Sequence, residues 1–339
     1  MKHSIYLILL SFILSQACGQ SPSLSNKEYS PQMKKVYERA MAAENLRSLI
    51  ISQNGKILFE EYFDDYAKDS LDHLRSGTKS IMASLIGIAI DQGYIESLEL
   101  SIEAYFGERA RNKESIKIRH LLAMTTGIEW SEGAAGYNAW VSSGRHIDYL
   151  LQKPMHAKAG EEWNYNSAAS HLLSAILTKA TGMSTLEFAE KHLFRPMGIK
   201  HVRWESLSEG YYNGGAGLEM KPRDMLKIGY LYAHGGKYKG KQILSEAFID
   251  HATRSHLPEE KAEYGGDTYG LSWWMGEMKG KKIIFAAGYG GQAIMILPEM
   301  EIVIVLTHNW RVDQAEAIHQ QNQAFKQILP LILTAVLEE

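Results

Sequence analysis

Apolar and polar positions follow two different periods along this chain, and the change of period divides it into three parts. Near the start, Met33, Val36, Tyr37, Ala40 and Met41 recur at helical spacing, which predicts a helix over Met33 to Arg47. Leu49 to Gln53 and Lys56 to Phe59 are strand-like runs joined by Asn54-Gly55. Asn-Gly tolerates the positive φ angles of a two-residue turn, so a hairpin is expected there. Ile81 to Ile90 is apolar on almost every side, as in a helix enclosed by a core, and Gly93 after Asp91-Gln92 is a suitable stop.

From about residue 100 to 200 the pattern is helical. Ile118 to Met124 runs into Thr125-Thr126-Gly127, and His146 to Leu151 stops before Pro154. Ser167 to Ala180 carries Leu172, Leu173, Ile176 and Leu177 on one side, and Ser184 can cap the helix that follows. Asn213 to Leu218 is a glycine-rich loop, and Pro222 to Tyr232 is a helix with proline in its first turn. The last third returns to strands: Tyr269 to Trp274, Lys281 to Ala287, Ala293 to Leu297 and Ile302 to Thr307, separated by turns. Ala317 to Leu337 is an amphipathic helix expected to bend at Pro330. Strands at both ends with helices between them imply an α+β fold. One antiparallel sheet collects the N- and C-terminal strands, helices flank it, and a mostly helical region, about residues 100–235, is inserted.

The first residues change this picture. Lys2 opens a short basic end and Ile5 to Leu14 is almost unbroken apolar sequence. That run is too short to span a bilayer as a helix and suits a signal-peptide core over residues 1–17. Ser15-Gln16-Ala17-Cys18 is a loose lipoprotein box, with Ser15 in place of the usual large aliphatic residue. It fits lipidation of Cys18, and it also fits plain cleavage after Ala17. The expectation is an exported protein, either a lipoprotein attached in the periplasm or outer membrane, or a secreted one. Residues 18–32 act as a Ser/Pro/Gln-rich tether and 33–339 form the folded domain. With one cysteine the chain has no intramolecular disulfide, and a net charge of −3 gives no sign of nucleic-acid binding.

The chemistry centres on Arg75-Ser76-Gly77-Thr78-Lys79-Ser80, just ahead of the apolar helix and holding the only Ser-x-x-Lys in the sequence. Residues three apart share a helix face, so the Lys79 amine can reach the Ser76 hydroxyl. A serine needs such a base, and burial or a helix N-terminus lowers a lysine pKa into the range where it can serve as one. Ser76 as a plain N-cap is the competing possibility. Tyr165, in Trp163-Asn164-Tyr165-Asn166-Ser167, can carry protons if a lysine stabilises its phenolate; otherwise it is an ordinary core aromatic. The strand Phe285-Ala286-Ala287-Gly288 runs into Tyr289-Gly290-Gly291, where glycines allow a backbone N–H to approach an oxyanion, or simply make a β-turn. His-Glu-x-x-His and Gly-x-Ser-x-Gly are both absent. The thirteen histidines are scattered, with structural roles expected for His120, His171 and His192, so neither metal nor cofactor is implied.

These motifs, with Ile118 to Gly127, Leu193 to Ile199, Gly217 to Met220 and Arg223 to Met225, resemble the serine β-lactamase-related hydrolases. That group takes in class C β-lactamases, penicillin-binding carboxypeptidases, esterases and 6-aminohexanoate-oligomer hydrolases. The resemblance covers roughly residues 45–310. It implies that Ser76 is the acylated nucleophile, Lys79 its base and Tyr165 the proton shuttle, with the N–H groups of Ser76 and Tyr289 as oxyanion hole. Ser167, Ala286, Ala287 and Gly288 would line the substrate site, and two departures fall there. Ser167 replaces the usual Asn, and Ala286-Ala287-Gly288 replaces Lys-Thr-Gly or His-Thr-Gly, so the cation that holds a substrate carboxylate is missing. The expected function is hydrolysis of a small-molecule amide or ester. The alternatives are a DD-peptidase or β-lactamase, and a non-catalytic ligand-sensing protein with the same fold.

Overall fold

Ile50, near the N-terminal end of the domain, pairs with Val305, near its C-terminal end. That pairing lies inside the main sheet in the computed structural model, which describes residues 29–63, 66–257 and 268–337. The expected signal segment, most of the tether and Cys18 lie outside the described residues. The strands are β1 (Leu46–Gln53), β2 (Lys56–Tyr62), β3 (Thr268–Tyr269), β4 (Trp274–Met278), β5 (Lys281–Gly288), β6 (Gln292–Leu297) and β7 (Ile302–His308). They form one seven-stranded antiparallel sheet in the order β2-β1-β7-β6-β5-β4-β3. Asn54 and Gly55 take φ of +50° and +74° and close the β1–β2 hairpin, as the Asn-Gly pair requires.

Alternation along the strands gives the sheet two apolar faces. Leu49, Ile51, Phe285, Met295 and Ile304 lie in one core with the N-terminal helix α1 (Pro31–Met41) and the C-terminal helices. Ile50, Ile284, Ala286, Ile294, Val303 and Val305 lie in the other, with α2 (Thr78–Asp91), α3 (Ser167–Thr181) and α4 (Pro222–Ala233). From Thr78 to Ala89 every residue of α2 is buried, which is what its unbroken apolar sequence demanded.

Some expected elements change. The first helix ends at Met41 instead of Arg47, because Asn45 turns left-handed (φ +62°) and starts β1. Arg47, on that strand, donates to the buried Asp72 carboxylate at 2.8 Å. Tyr269 to Trp274 is not one strand. Ser272, at φ +60°, breaks it and turns both its N–H and hydroxyl to the Leu122 carbonyl. The C-terminal helix departs from regularity ahead of Pro330, in a π-helical stretch Gln323–Ile328 that precedes Leu329–Leu337. The wider turn absorbs the missing N–H and the bulk of the proline ring. Asp72–His73, Val202–Trp204 and Leu218–Met220 form a small three-stranded sheet that no periodicity in the sequence announced. This sheet ties the glycine-rich loop ahead of Leu218 to the segment ahead of Ser76, through Asp72 opposite Met220.

His171 in α3 is fully buried against the rings of Trp140 and His146, and burial pushes its pKa down to about 3. The unfolded chain binds a proton at this residue near pH 6.5, so stability is whole above that pH and falls as the pH drops towards 3. Replacing His171 with Phe removes that contribution. Urea unfolding of H171F is expected to show a pH slope shallower than wild type by up to about 1.4 kcal/mol per unit between those limits.

Candidate active site

The turn before α2 is strained where it meets Ser76. Arg75, a non-glycine residue, has φ +52°, and Arg75–Gly77 forms a single 3₁₀ turn that runs into α2. The N–H of Arg75 donates to His73 Nδ1 at 2.9 Å. Burial, with the nearby Arg75 and Arg311 charges, pushes His73 down to about 4, so its ring is neutral at pH 7 and can accept that bond. The Arg75 guanidinium lies 4.5 Å from the Trp310 ring centre and 5.8 Å from that of Tyr289. Gly77, not Ser76, stands at the N-cap of α2, and no side chain caps there. The Ser76 hydroxyl is therefore not consumed as a cap.

One turn on, Lys79 is 1% exposed. Its amine donates to Ser76 Oγ at 3.1 Å, to Ser167 Oγ at 2.9 Å and to the Gly215 carbonyl at 2.7 Å. Burial pushes its pKa down to about 8; the Glu132 carboxylate works against that fall and Arg75 adds to it. The Tyr165 ring centre lies 4.8 Å from the same nitrogen. Tyr165 stacks on Trp274 and meets Trp163 and Tyr269 at 6.2 and 6.3 Å, so an aromatic wall fixes its ring beside the amine.

Ser167, the first residue of α3, is buried, and its hydroxyl donates to Glu132 Oε1. Its N–H donates to Glu132 Oε2 at 2.9 Å, and Trp130 Nε1 donates to the same oxygen at 2.7 Å. Across the turn from Ser76, β5 comes very close. A Cβ on Gly288 would stand 2.1 Å from the Leu74 carbonyl oxygen, so only glycine lets the strand reach this turn. Ala286 is 1% exposed and faces Gly77, while Ala287 packs on the other side of the sheet, at the edge of the C-terminal core. Tyr289 follows in the bend, its hydroxyl on the Val312 carbonyl at 3.2 Å. Among the described residues no group of three His, Cys, Asp or Glu is placed to hold a metal ion.

Thus the structure brings Ser76, Lys79, Tyr165 and Ser167 together and sets Ala286, Gly288 and Tyr289 beside the same turn. Two groups near Lys79 carried no signal in the sequence that marked them for the site. Gly215 belongs to the glycine-rich loop, and the Asn213 side chain folds that loop by accepting the N–H groups of Gly215 and Ala216. Glu132 is, in sequence, only an acid two residues after a tryptophan.

A family model described as Beta-lactamase matches residues 34–326. The chain belongs to the β-lactamase family. Among its relatives, the 6-aminohexanoate-dimer hydrolase of Paenarthrobacter ureafaciens is 21% identical over 288 residues, 78% of this chain and 72% of that protein. Among solved structures, the octameric penicillin-binding protein homologue of Pyrococcus abyssi superposes with a TM-score of 0.70 at 18% identity, covering 89% of this chain and 77% of that one. A D-stereospecific amidohydrolase of a Streptomyces species gives 0.66 at 14%, covering 85% and 98%. At these identities the superpositions establish the fold, the serine β-lactamase-like one expected from the sequence.

In this β-lactamase-family protein the close approach of β5 to the Ser76 turn is a packing constraint that can be tested directly. Gly288→Ala places a methyl group against backbone and is expected to destabilise the fold by about 1–3 kcal/mol. Ala287→Gly, one residue earlier, relieves no clash and serves as the control. Midpoints of urea unfolding for the two variants report the difference.

Proposed function

We propose that this protein is a serine hydrolase that opens an amide or ester bond through an acyl-enzyme on Ser76. The observation that carries this is the Lys79 amine, desolvated, lowered to about 8 and 3.1 Å from the Ser76 hydroxyl. In its neutral form the amine takes the Ser76 proton as Oγ attacks the substrate carbonyl. The developing oxyanion falls to the N–H groups of Ser76 and Tyr289, which the approach of Gly288 to Leu74 supports. Tyr165, against the amine, passes the proton to the leaving nitrogen or oxygen as its bond to the carbonyl carbon breaks. Water then releases the acyl group by the reverse transfers. The family relationship and the hydrolase relatives support the reaction class.

For substrate, Ala286 beside the Ser76 turn offers no charge to a carboxylate near the scissile bond, and Ala287, expected to line the site, faces the opposite side of the sheet. Uncharged amides and esters fit that surface best. A second reading, action on β-lactams or D-peptides, has one observation in its favour. The Arg75 guanidinium, one residue before Ser76, stands over the Trp310 and Tyr289 rings and is a cation close to the site.

A fluorophosphonate probe is expected to label Ser76, with a rate that rises with pH through about 8 and levels off above it. Labelling that survives Ser76→Ala would overturn the assignment. Lys79→Met is expected to slow labelling by about 10²–10⁴. For substrate choice, kcat/KM for a neutral p-nitrophenyl ester should exceed that for a chromogenic cephalosporin. The reverse order, abolished by Arg75→Gln, would establish the second reading.

A further inference from the structure

The Ser167 hydroxyl is fully engaged. Its one proton goes to Glu132 Oε1, and its oxygen accepts from Lys79 Nζ at 2.9 Å. A neutral amine has two N–H bonds and one lone pair. Around Lys79 stand three partners: the Gly215 carbonyl, which can only accept, Ser167 Oγ, and Ser76 Oγ. Were the Ser167 proton free, that hydroxyl would compete with Ser76 to donate to the lone pair. Glu132 removes the competition, because a carboxylate accepts only.

We infer that Glu132, acting through the Ser167 hydroxyl, is the positioning residue of the Lys79 base: it makes Ser167 an acceptor, so that the amine can turn its lone pair only to Ser76. The inference rests on the hydrolase reading and adds the group that orients its base. During acylation the Ser76 proton moves to the Lys79 lone pair as the bond from Oγ to the carbonyl carbon forms. The ammonium so created keeps Ser167 and Gly215 as acceptors. Glu132 takes no proton; its charge faces the ammonium across one hydroxyl. When the leaving group departs, the proton passes to it by way of Tyr165, and the amine returns to its starting form.

Other charged and titratable groups around the amine are Arg75 from the Ser76 turn and Tyr165 from the loop ahead of α3. Tyr137 and Tyr269 also lie within the field of Glu132. Arg75 opposes the ammonium and Glu132 favours it, so removal of Glu132 alone shifts the balance in one direction. The Lys79 pKa must fall. Glu132 also anchors the first N–H of α3, so a loss of activity on its own would not separate positioning from helix capping.

The test uses Glu132→Gln, Ser167→Ala, Ser167→Thr and the Gln/Ala double variant, with fluorophosphonate labelling followed across pH. The acid limb is expected to move down by about one pH unit in E132Q, and the plateau rate to fall about ten- to hundredfold. S167A keeps the Glu132 charge and the carboxylate on the α3 N–H but takes an acceptor from the amine, so its acid limb should move down by less than that of E132Q while its plateau rate also falls. S167T, which keeps the hydroxyl, should restore the wild-type profile. The double variant should lose no more than the worse single one, since the two groups act in series. An unmoved acid limb, multiplied losses, or failure of threonine to rescue would overturn the inference. Should E132Q not fold, the alanine–threonine pair decides alone. Should wild type not label at all, the hydrolase reading fails. The ¹³Cε resonance of Lys79, titrated in wild type and S167A, then reads the orientation separately: a lower Lys79 pKa in S167A upholds it and an unchanged one removes it.

Discussion

An amine taken out of water must find an acceptor for every N–H it keeps, and the architecture around Ser76 follows from that requirement at Lys79. Of its three acceptors only Ser76, in the turn just ahead of the apolar helix, is close in sequence. The other two come from distant sequence, Ser167 at the start of α3 and Gly215 in a loop held against α3. That loop can come so near because residue 215 is glycine; a Cβ there would lie 2.7 Å from the Ser167 carbonyl oxygen. The small sheet, the glycine loop and the start of α3 thus act together to solvate, with protein atoms, an amine that water cannot reach.

The same demand explains why the two faces of the site differ in character. On the α3 side polar contacts are dense and directional. On the β5 side contact is through backbone and small side chains, with Gly288 against Leu74 and Ala286 against Gly77. A bulky cation at residue 286 would have to share that narrow seam with the Ser76 turn. The alanine and the tight seam form a consistent pair: the strand lies close because its side chains are small.

Much of this was legible in the sequence, where local chemistry dictated it. Asn54-Gly55 specified its hairpin, the apolar run after Lys79 its burial, and Ser-x-x-Lys the contact of hydroxyl and amine. What stayed hidden depends on contacts between segments far apart. Glu132 touches Ser167 across 35 residues, and nothing within its own loop marks it for that role. Gly215 lay in an obvious loop, but which carbonyl would turn inward was decided by Asn213 and by the close passage over α3. The break at Ser272 was missed for a like reason: its left-handed backbone is held by the Leu122 carbonyl, far away in the chain.

The pairing of Ile50 with Val305 has a consequence for how the molecule comes into being. The N-terminal hairpin cannot join the rest of the sheet until nearly the whole domain has been synthesised, because β1 finds its second neighbour only when β7 emerges. The hairpin β1–β2 and the helices between can form early, but the two cores they face lack the sheet that divides them. Contacts of such long sequence separation make for slow folding, since a loop of roughly 250 residues must close before they stabilise anything. Until then β1, with Leu49, Ile50 and Ile51 at its middle, has an unpaired edge. That open edge is a template on which a second copy of the chain could pair, and the arrival of β7 closes it.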